Sequence, residues 1–318
     1  MQLNNMKQRD QSIDFIKFVL IVLVVLRHIA YFCDTYPSIR WNIKFLMPAF
    51  LLVTGYLVNI KKPARQFSLY MLRLILPYMI MVTGYCIISY FIPTKDGLTQ
   101  LSLQAICHKL FITSIGPYWF LLTIIVCGGA YYICFTALRN VRNEMTKLGA
   151  LLLLLFTICQ IYPSTAFDVY SVVYYFIGVV LCRLNIRFST AFQPSFFSII
   201  VVILIGSVEE YNEWRDILLL CAVYYSLSFL LWIYPRIRDG RIKDACLYIG
   251  RNTLPVYLFH PIFTMAAKFY HPLFAFDSSE ILFTLVTICI AVAGSLAIAM
   301  IMERTGAAWI FGKARMLR

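Results

Sequence analysis

The sequence predicts an all-α, polytopic integral membrane protein, and three observations support this class. First, 61% of the 318 residues are hydrophobic and 14% are charged, with a mean hydropathy of +0.77, whereas soluble domains carry about 25% charged residues. Second, the apolar residues form runs close to the roughly 20 residues that a membrane-spanning helix needs. Third, lysines and arginines cluster in alternate loops between these runs. We expect about ten such helices in a single membrane-embedded domain over residues 1–318.

Each predicted helix is an apolar run bounded by charged residues, proline or glycine. In chain order the runs are 13–33, 41–60, 67–92, 117–138, 147–162, 166–182, 194–208, 215–234, 245–269 and 280–302. The first run follows a short polar lead and has no small-residue cleavage motif after it, so we expect a retained helix rather than a signal peptide. The runs at 147–162 and 194–208 are short for a span.

Clusters of lysine and arginine predict the orientation, because cytoplasmic loops carry the excess of these residues. The clusters are Lys7 and Arg9; Lys61, Lys62 and Arg65; Arg139, Arg142 and Lys147; Arg183 and Arg187; Arg236, Arg238, Arg241 and Lys243; and Arg304, Lys313, Arg315 and Arg318. The opposite loops hold Asp34, Asp96, Glu209, Glu210, Glu213, Asp277 and Glu280. Both termini are therefore expected in the cytoplasm. The net charge of +13 follows from this arrangement, so no nucleic-acid partner is predicted.

The usual signatures of metal and nucleophile chemistry are missing from the sequence. The ten cysteines form no Cys-x-x-Cys pair, and there is no Walker loop, Gly-x-Ser-x-Gly elbow or His-Glu-x-x-His motif. We therefore expect no metal. Histidine transfers protons readily near neutral pH, which makes the intramembrane histidines the leading catalytic candidates.

The first predicted helix contains IDFIKFVLIVLVVLRHIAYF, an apolar run with four polar side chains, Asp14, Lys17, Arg27 and His28. A charge at the bilayer centre costs about 2.5–3.5 kcal/mol on insertion scales, so such residues usually mark a site. Lys17 and His28 lie on one helix face, offset by about 20° and separated by about 16 Å. Asp14 lies near that face, whereas Arg27 points about 100° away. Alternatively, Lys17 and Arg27 extend to the headgroups and His28 is a packing residue.

A late segment, YIGRNTLPVYLFHPIF (248–263), places His260 at about the same depth as His28. Pro255 and Pro261 permit kinks, which membrane helices tolerate around a cavity. Two histidines at one depth indicate a polar chamber. The alternative is that His260 caps its helix near the outer interface.

The third predicted helix carries Arg73 about two turns beyond the basic loop of Lys61, Lys62 and Arg65. Such a cluster suits phosphate binding through charge-assisted hydrogen bonds. Membrane topology alone also predicts positive charge in this loop.

Two other segments carry weaker indications. In the second helix, FLMPAFLLVTGYLV, Gly55 permits close helix packing. In the fourth, GPYWFLLT, Trp119 is a candidate site residue, and Tyr118 and Trp119 also fit an interfacial aromatic belt.

Five segments in this order resemble the acyltransferase 3 family of membrane-bound acyltransferases. They are IDFIKFVLIVLVVLRH, which matches its basic-x10-His pattern, followed by MPAFLLVTGYL, YMLRLILPY, WFLL and IGRNTLPVYLFH. The resemblance covers nearly the whole chain. It departs from the family pattern at Lys17, where the commoner arginine has bidentate geometry, and at Tyr70, which replaces the first arginine of an Arg-x-x-Arg pair.

The resemblance implies an O-acetyltransferase in the bacterial inner membrane that modifies polysaccharides. Such an enzyme takes an acyl group, commonly acetyl, from cytoplasmic acetyl-CoA and passes it to a sugar hydroxyl. The acceptor is a cell-surface glycan or its lipid-linked precursor. The identity of the acceptor, the acyl length, O- versus N-transfer and homo-oligomer formation stay open.

Together with helix geometry, the resemblance predicts a role for each candidate residue. The predicted catalytic residues are His28 as general base, Lys17, Arg27 and His260. The predicted CoA-binding residues are Lys17, Arg73, Arg65 and Lys62. The predicted substrate-binding residues are Asp14, Trp119, Asn252 and Tyr257. In this arrangement the phosphates of CoA bind near Lys17 and the thioester reaches His28, by direct transfer or through an acyl-histidine intermediate.

Two other functions fit the same residues. Intramembrane Lys, Arg and His with proline-kinked helices also describe a transporter of a small molecule or proton, although the sequence shows no paired broken helices in corresponding halves. The third function is that of a membrane scaffold or lipid flippase partner without chemistry. Transfer of label from acetyl-CoA separates the three.

Overall fold

The structure is a computed structural model that describes residues 10–29, 43–91, 97–162, 167–207, 216–313 and 315–317. Helix makes up 79% of it and the described residues contain no strand, which confirms the all-α class. The α-helices are α1 (Gln11–Ile29), α2 (Leu46–Leu57), α3 (Ala64–Phe91), α4 (Leu103–His108), α5 (Trp119–Ala137), α6 (Glu144–Ile161), α7 (Val169–Arg183), α8 (Phe188–Ala191), α9 (Ser198–Gly206), α10 (Ile217–Ile233), α11 (Arg241–Arg251), α12 (Thr253–Tyr270) and α13 (Ile281–Arg304).

Five of the described helical segments are long and apolar enough to cross a membrane. They are Ala64–Phe91, Gly116–Ala137, Glu144–Ile161, Ile217–Arg236 and Ile281–Arg304. Helices α2 and α7 are apolar but shorter. These lengths support a multi-pass membrane protein, while the number ten and the orientation stay predictions. Eight residues used for the orientation lie outside the described ranges: Lys7, Arg9, Asp34, Asp96, Glu209, Glu210, Glu213 and Arg318.

The predicted helix 245–269 is wrong as one element, because the structure divides it into α11 and α12. Asn252 joins the two with φ −112° and ψ 34°, outside helical geometry, and its side-chain Nδ2 donates to the Tyr248 carbonyl at 2.9 Å. A proline ring clashes with the carbonyl four residues earlier in a continuous helix. Pro255 would meet the carbonyl of Arg251 in this way, so the helix ends there.

Helix α4 was not predicted, since it lies in an expected loop. Its start is stabilised by Ser102, whose Oγ accepts a hydrogen bond from the Ala105 amide at 3.1 Å. One π-helical turn, Lys109–Thr113, continues it. A helix this short is stabilised by its N-cap rather than by an apolar run.

Helix α1 occupies the interior of the bundle, where it packs against α2, α10, α11, α12 and α13. Its buried side chains include Ile16, Leu20, Ile21 and Val25. Because neighbours surround α1, its polar side chains meet other helices rather than lipid alone. The charged residues in α1 are therefore placed where partners can compensate their burial.

Helices α2 and α7 approach closely through two glycines. A Cβ atom on Gly55 would overlap the carbonyl of Tyr175, and a Cβ on Gly178 would overlap the carbonyl of Leu52. Both obstacles are backbone atoms, which cannot rotate away. The prediction that Gly55 permits close helix packing is confirmed.

We expect Gly178→Ala to destabilise the protein by about 1–3 kcal/mol, because overpacking forces backbone shifts. The measurement is the thermal unfolding midpoint in detergent. Gly149→Ala is the matched control, since nothing lies within 4 Å of a Cβ at this position in α6. Equal unfolding midpoints for the two variants would contradict the proposed glycine contact.

Candidate active site

The N-terminal part of α1 carries a buried ion cluster centred on Asp14. This side chain is 3% exposed. Its Oδ1 lies 2.8 Å from the Lys17 Nζ, one turn along α1, and its Oδ2 lies 3.6 Å from the Nε of Arg251 at the end of α11. We call Asp14, Lys17 and Arg251 the charged cluster. Pairing two cations with one buried carboxylate compensates its desolvation.

Gly250 explains how α11 comes so close to α1. A Cβ atom at this position would overlap the backbone carbonyl of Asp14. The absence of a side chain lets the two backbones touch, and the next residue, Arg251, then reaches the carboxylate. Sequence reasoning missed Arg251, although the quoted segment contains it. The adjacent Gly in "IGRN" was the available signal, because glycine is typical of close helix packing.

His28, eleven residues after Lys17 in α1, faces His260 of α12. The two ring centroids are 5.1 Å apart with an interplanar angle of 45°. His260 is fully buried and His28 is partly buried. We call these two side chains the histidine pair. Both the charged cluster and the histidine pair lie between α1 and the α11–α12 segment.

The hydrogen bond of His260 assigns its tautomer. Its Nδ1 lies 3.0 Å from the Val256 carbonyl, and a carbonyl oxygen only accepts, so Nδ1 carries the proton. In the neutral ring Nε2 then has a free lone pair. This buried Nε2 has no hydrogen-bond partner among the described residues. His260 can therefore accept a hydrogen bond beside His28.

Tyrosine hydrogen bonds hold α12 in place behind the histidine pair. The Tyr257 hydroxyl donates to the Pro117 carbonyl, and the Tyr118 hydroxyl donates to the Leu258 carbonyl at 2.9 Å. The Tyr257 and His260 rings are 6.1 Å apart. Tyr118 is fully buried, so it is not part of an interfacial belt. These bonds tie α12 to the turn that begins α5.

The other predicted site residues include Asn252, Trp119 and Arg27. Asn252 is buried at the junction of α11 and α12, next in sequence to Arg251. Trp119 is partly buried and stacks edge-on against Phe120 at 6.2 Å. Arg27 is partly buried and precedes His28 in α1.

The predicted CoA-binding residues of the third helix and its loop make contacts elsewhere. The exposed Arg73 donates from Nε to the Gly312 carbonyl at 3.1 Å, in the C-terminal segment. The Lys62 ammonium lies over the Tyr70 ring at 5.1 Å, and Arg65 is exposed. Arg251 lies beside the Asp14–Lys17 pair.

Comparison with known proteins decides the class of the chain. The sequence model of a family described as "Acyltransferase domain", Acyl_transf_3, matches residues 10–300. The chain belongs to the acyltransferase 3 family. No curated protein and no solved structure matches it. This membership confirms the resemblance found in the sequence and makes the chain an enzyme that transfers acyl groups.

As an acyltransferase 3 protein, the chain transfers an acyl group from a donor to an acceptor. The described residues include two groups of polar side chains with different chemistry. The charged cluster supplies cations suited to anionic groups, and the histidine pair supplies imidazole nitrogens suited to proton transfer. Lys17 and His28 are separated by about 16 Å along α1.

Proposed function

We propose that this acyltransferase passes an acetyl group from cytoplasmic acetyl-CoA to a sugar hydroxyl of a cell-surface glycan or its lipid-linked precursor, at the bacterial cytoplasmic membrane. The observation that carries the proposal is the placement of the charged cluster and the histidine pair along α1, against one continuous neighbour, α11–α12. The cations near the start of α1 match the phosphates of acetyl-CoA, and the imidazoles near its end match the distant thioester.

The orientation belongs to the same proposal, with both termini in the cytoplasm and about ten spans. Helix α11 supports it, because it begins at Arg241 directly after the basic loop of Arg236 and Arg238. Positive loops favour the cytoplasmic side. Asp14 and Lys17 lie near the start of α1, which follows the cytoplasmic N-terminus of the proposed orientation, so we place the charged cluster at the cytoplasmic mouth and the histidine pair deeper in the membrane.

In the proposed reaction His28 is the general base. Its ring nitrogen takes the proton of the acceptor hydroxyl as the oxygen attacks the thioester carbonyl, forming a carbon–oxygen bond. Arg27 stabilises the developing oxyanion. The carbon–sulfur bond then breaks, and the leaving thiolate receives the proton from His28 to release CoA. General-base catalysis of this kind contributes about 10²- to 10⁴-fold in rate.

His260 stabilises the charge that His28 acquires. The Nδ1–H of His260 is committed to the Val256 carbonyl, so its Nε2 accepts the second N–H of the His28 imidazolium when that ion forms. The centroid separation of 5.1 Å between the two rings supports this role. Hydrogen bonds to charged groups contribute about 1.5–3 kcal/mol.

The test uses purified protein in proteoliposomes with acetyl-labelled acetyl-CoA and a lipid-linked sugar acceptor. We expect label in the acceptor, and mass spectrometry of surface glycans should show loss of one acetyl increment when the gene is deleted. Protein that neither binds acetyl-CoA nor transfers label, together with unchanged glycans, would refute the proposal. A transporter would move solute across the vesicle without label transfer.

A further inference from the structure

The charged cluster contains more than the single cation, Lys17, that the sequence predicts at this end of α1. One buried carboxylate holds two cations from two different helices, Lys17 at 2.8 Å and Arg251 at 3.6 Å. We propose that Lys17 and Arg251 together bind a phosphate group of the acyl-CoA donor, and that Asp14 is the positioning residue that holds them side by side. This inference rests on the proposed function, because the donor is acetyl-CoA.

The charges of the cluster favour an anion. Asp14 contributes one negative charge and the two cations contribute two positive charges, so the cluster carries a net positive charge. Both cationic groups lie within 4 Å of the same carboxylate, so they are close enough to repel each other. A phosphate between them relieves that repulsion and accepts hydrogen bonds from both side chains.

The guanidinium of Arg251 has unused hydrogen-bonding capacity. Its Nε is buried and has no hydrogen-bond partner among the described residues, since 3.6 Å from Asp14 exceeds hydrogen-bond distance. The Arg251 side chain is nevertheless 36% exposed, so a ligand can reach its other N–H groups. A phosphate oxygen bound to these N–H groups would add charge-assisted hydrogen bonds to the guanidinium.

The start of α12 adds to the positive potential at this place. Helix α12 begins at Thr253, two residues after Arg251, and no side chain caps its first amides. The N-terminus of a helix carries a partial positive charge and attracts anions. The axis of α12 then leads from the charged cluster toward His260, the direction that the donor takes in the proposed reaction.

The decisive experiment compares two acetyl donors on the full-length protein. Acetyl-CoA carries phosphates, whereas S-acetylpantetheine has the same thioester and no phosphate. We expect Arg251→Gln to lower kcat/KM for acetyl-CoA about 10-fold or more, mainly through KM, and to leave kcat/KM for S-acetylpantetheine unchanged, because only uniform binding is lost. Arg251→Lys should recover part of the difference.

Arg241→Gln is the matched control, since this exposed arginine begins the same helix and lies about 15 Å from Arg251 along its axis. We expect it to behave as wild type with both donors. Asp14→Asn keeps the shape of the side chain but removes the shared charge. This variant makes the site more positive, but it should still raise KM for acetyl-CoA, because Lys17 and Arg251 lose the carboxylate that positions them.

Several outcomes overturn the inference. If Arg251→Gln loses activity equally with both donors, Arg251 has a structural role rather than a phosphate-binding one. If Arg251→Gln matches wild type with both donors, Arg251 does not bind the phosphate. A lower KM for acetyl-CoA in Asp14→Asn excludes positioning. If the wild-type protein transfers from neither donor, the proposed function fails, and calorimetry with CoA and pantetheine still decides the site. Weaker CoA binding in Arg251→Gln supports it, and equal binding refutes it.

Discussion

Replacement of His28 by alanine is expected to lower acetyl transfer by about 10²- to 10⁴-fold, the usual contribution of a general base. The affinity for CoA should stay within a few-fold of wild type, since His28 lies about 16 Å along α1 from the charged cluster. The measurements are the initial rate of label transfer and CoA binding by calorimetry.

His108→Ala is the control for the loss of an imidazole outside the histidine pair. His108 ends α4 and is exposed, so its removal should not change the rate. A wild-type rate for His28→Ala would remove His28 from the mechanism. A joint loss of rate and CoA binding would indicate a misfolded protein, which the thermal unfolding midpoint would reveal.

Replacement of His260 by leucine is expected to lower kcat by about 10- to 100-fold, with little change in KM for acetyl-CoA. The reason is that the His28 imidazolium loses its acceptor, and a hydrogen bond to a charged group contributes about 1.5–3 kcal/mol. His260→Gln should retain more activity, because its amide oxygen can accept the same N–H. Steady-state kinetics with both substrates measure the effect.

Because His260 is fully buried, each variant also needs its unfolding midpoint measured. Leucine and glutamine at this site differ in polarity more than in volume. Equal activity of the two variants, with equal unfolding midpoints, would contradict a hydrogen-bonding role for His260. A leucine variant with wild-type kcat would exclude it from the reaction.

The long apolar helices could be predicted because each follows from a local property of the chain. The predicted 67–92 corresponds to Ala64–Phe91, and 280–302 corresponds to Ile281–Arg304. In a bilayer an apolar run must satisfy its own backbone hydrogen bonds, so a helix is the available conformation. The break at Asn252 was missed although the polar residues 250–253 (GRNT) interrupt the apolar run and Pro255 offered a second local signal.

The family was also visible in the sequence, since its pattern depends on residue order and spacing. The helical repeat alone placed Lys17 and His28 on one face of α1, and the charges within that run indicated a site. These conclusions need no partner helix, because they concern residues joined by a single regular backbone.

The tertiary structure decided which residues contact Asp14 and His28. Spacing along α1 contains no information about which helix lies opposite, so the sequence did not indicate Arg251 as a neighbour of Asp14. The close approach at Gly250 brings Arg251 to Asp14, and the packing of α12 on α1 brings His260 to His28. Contacts between residues more than two hundred positions apart depend on helix packing, which a single sequence does not specify.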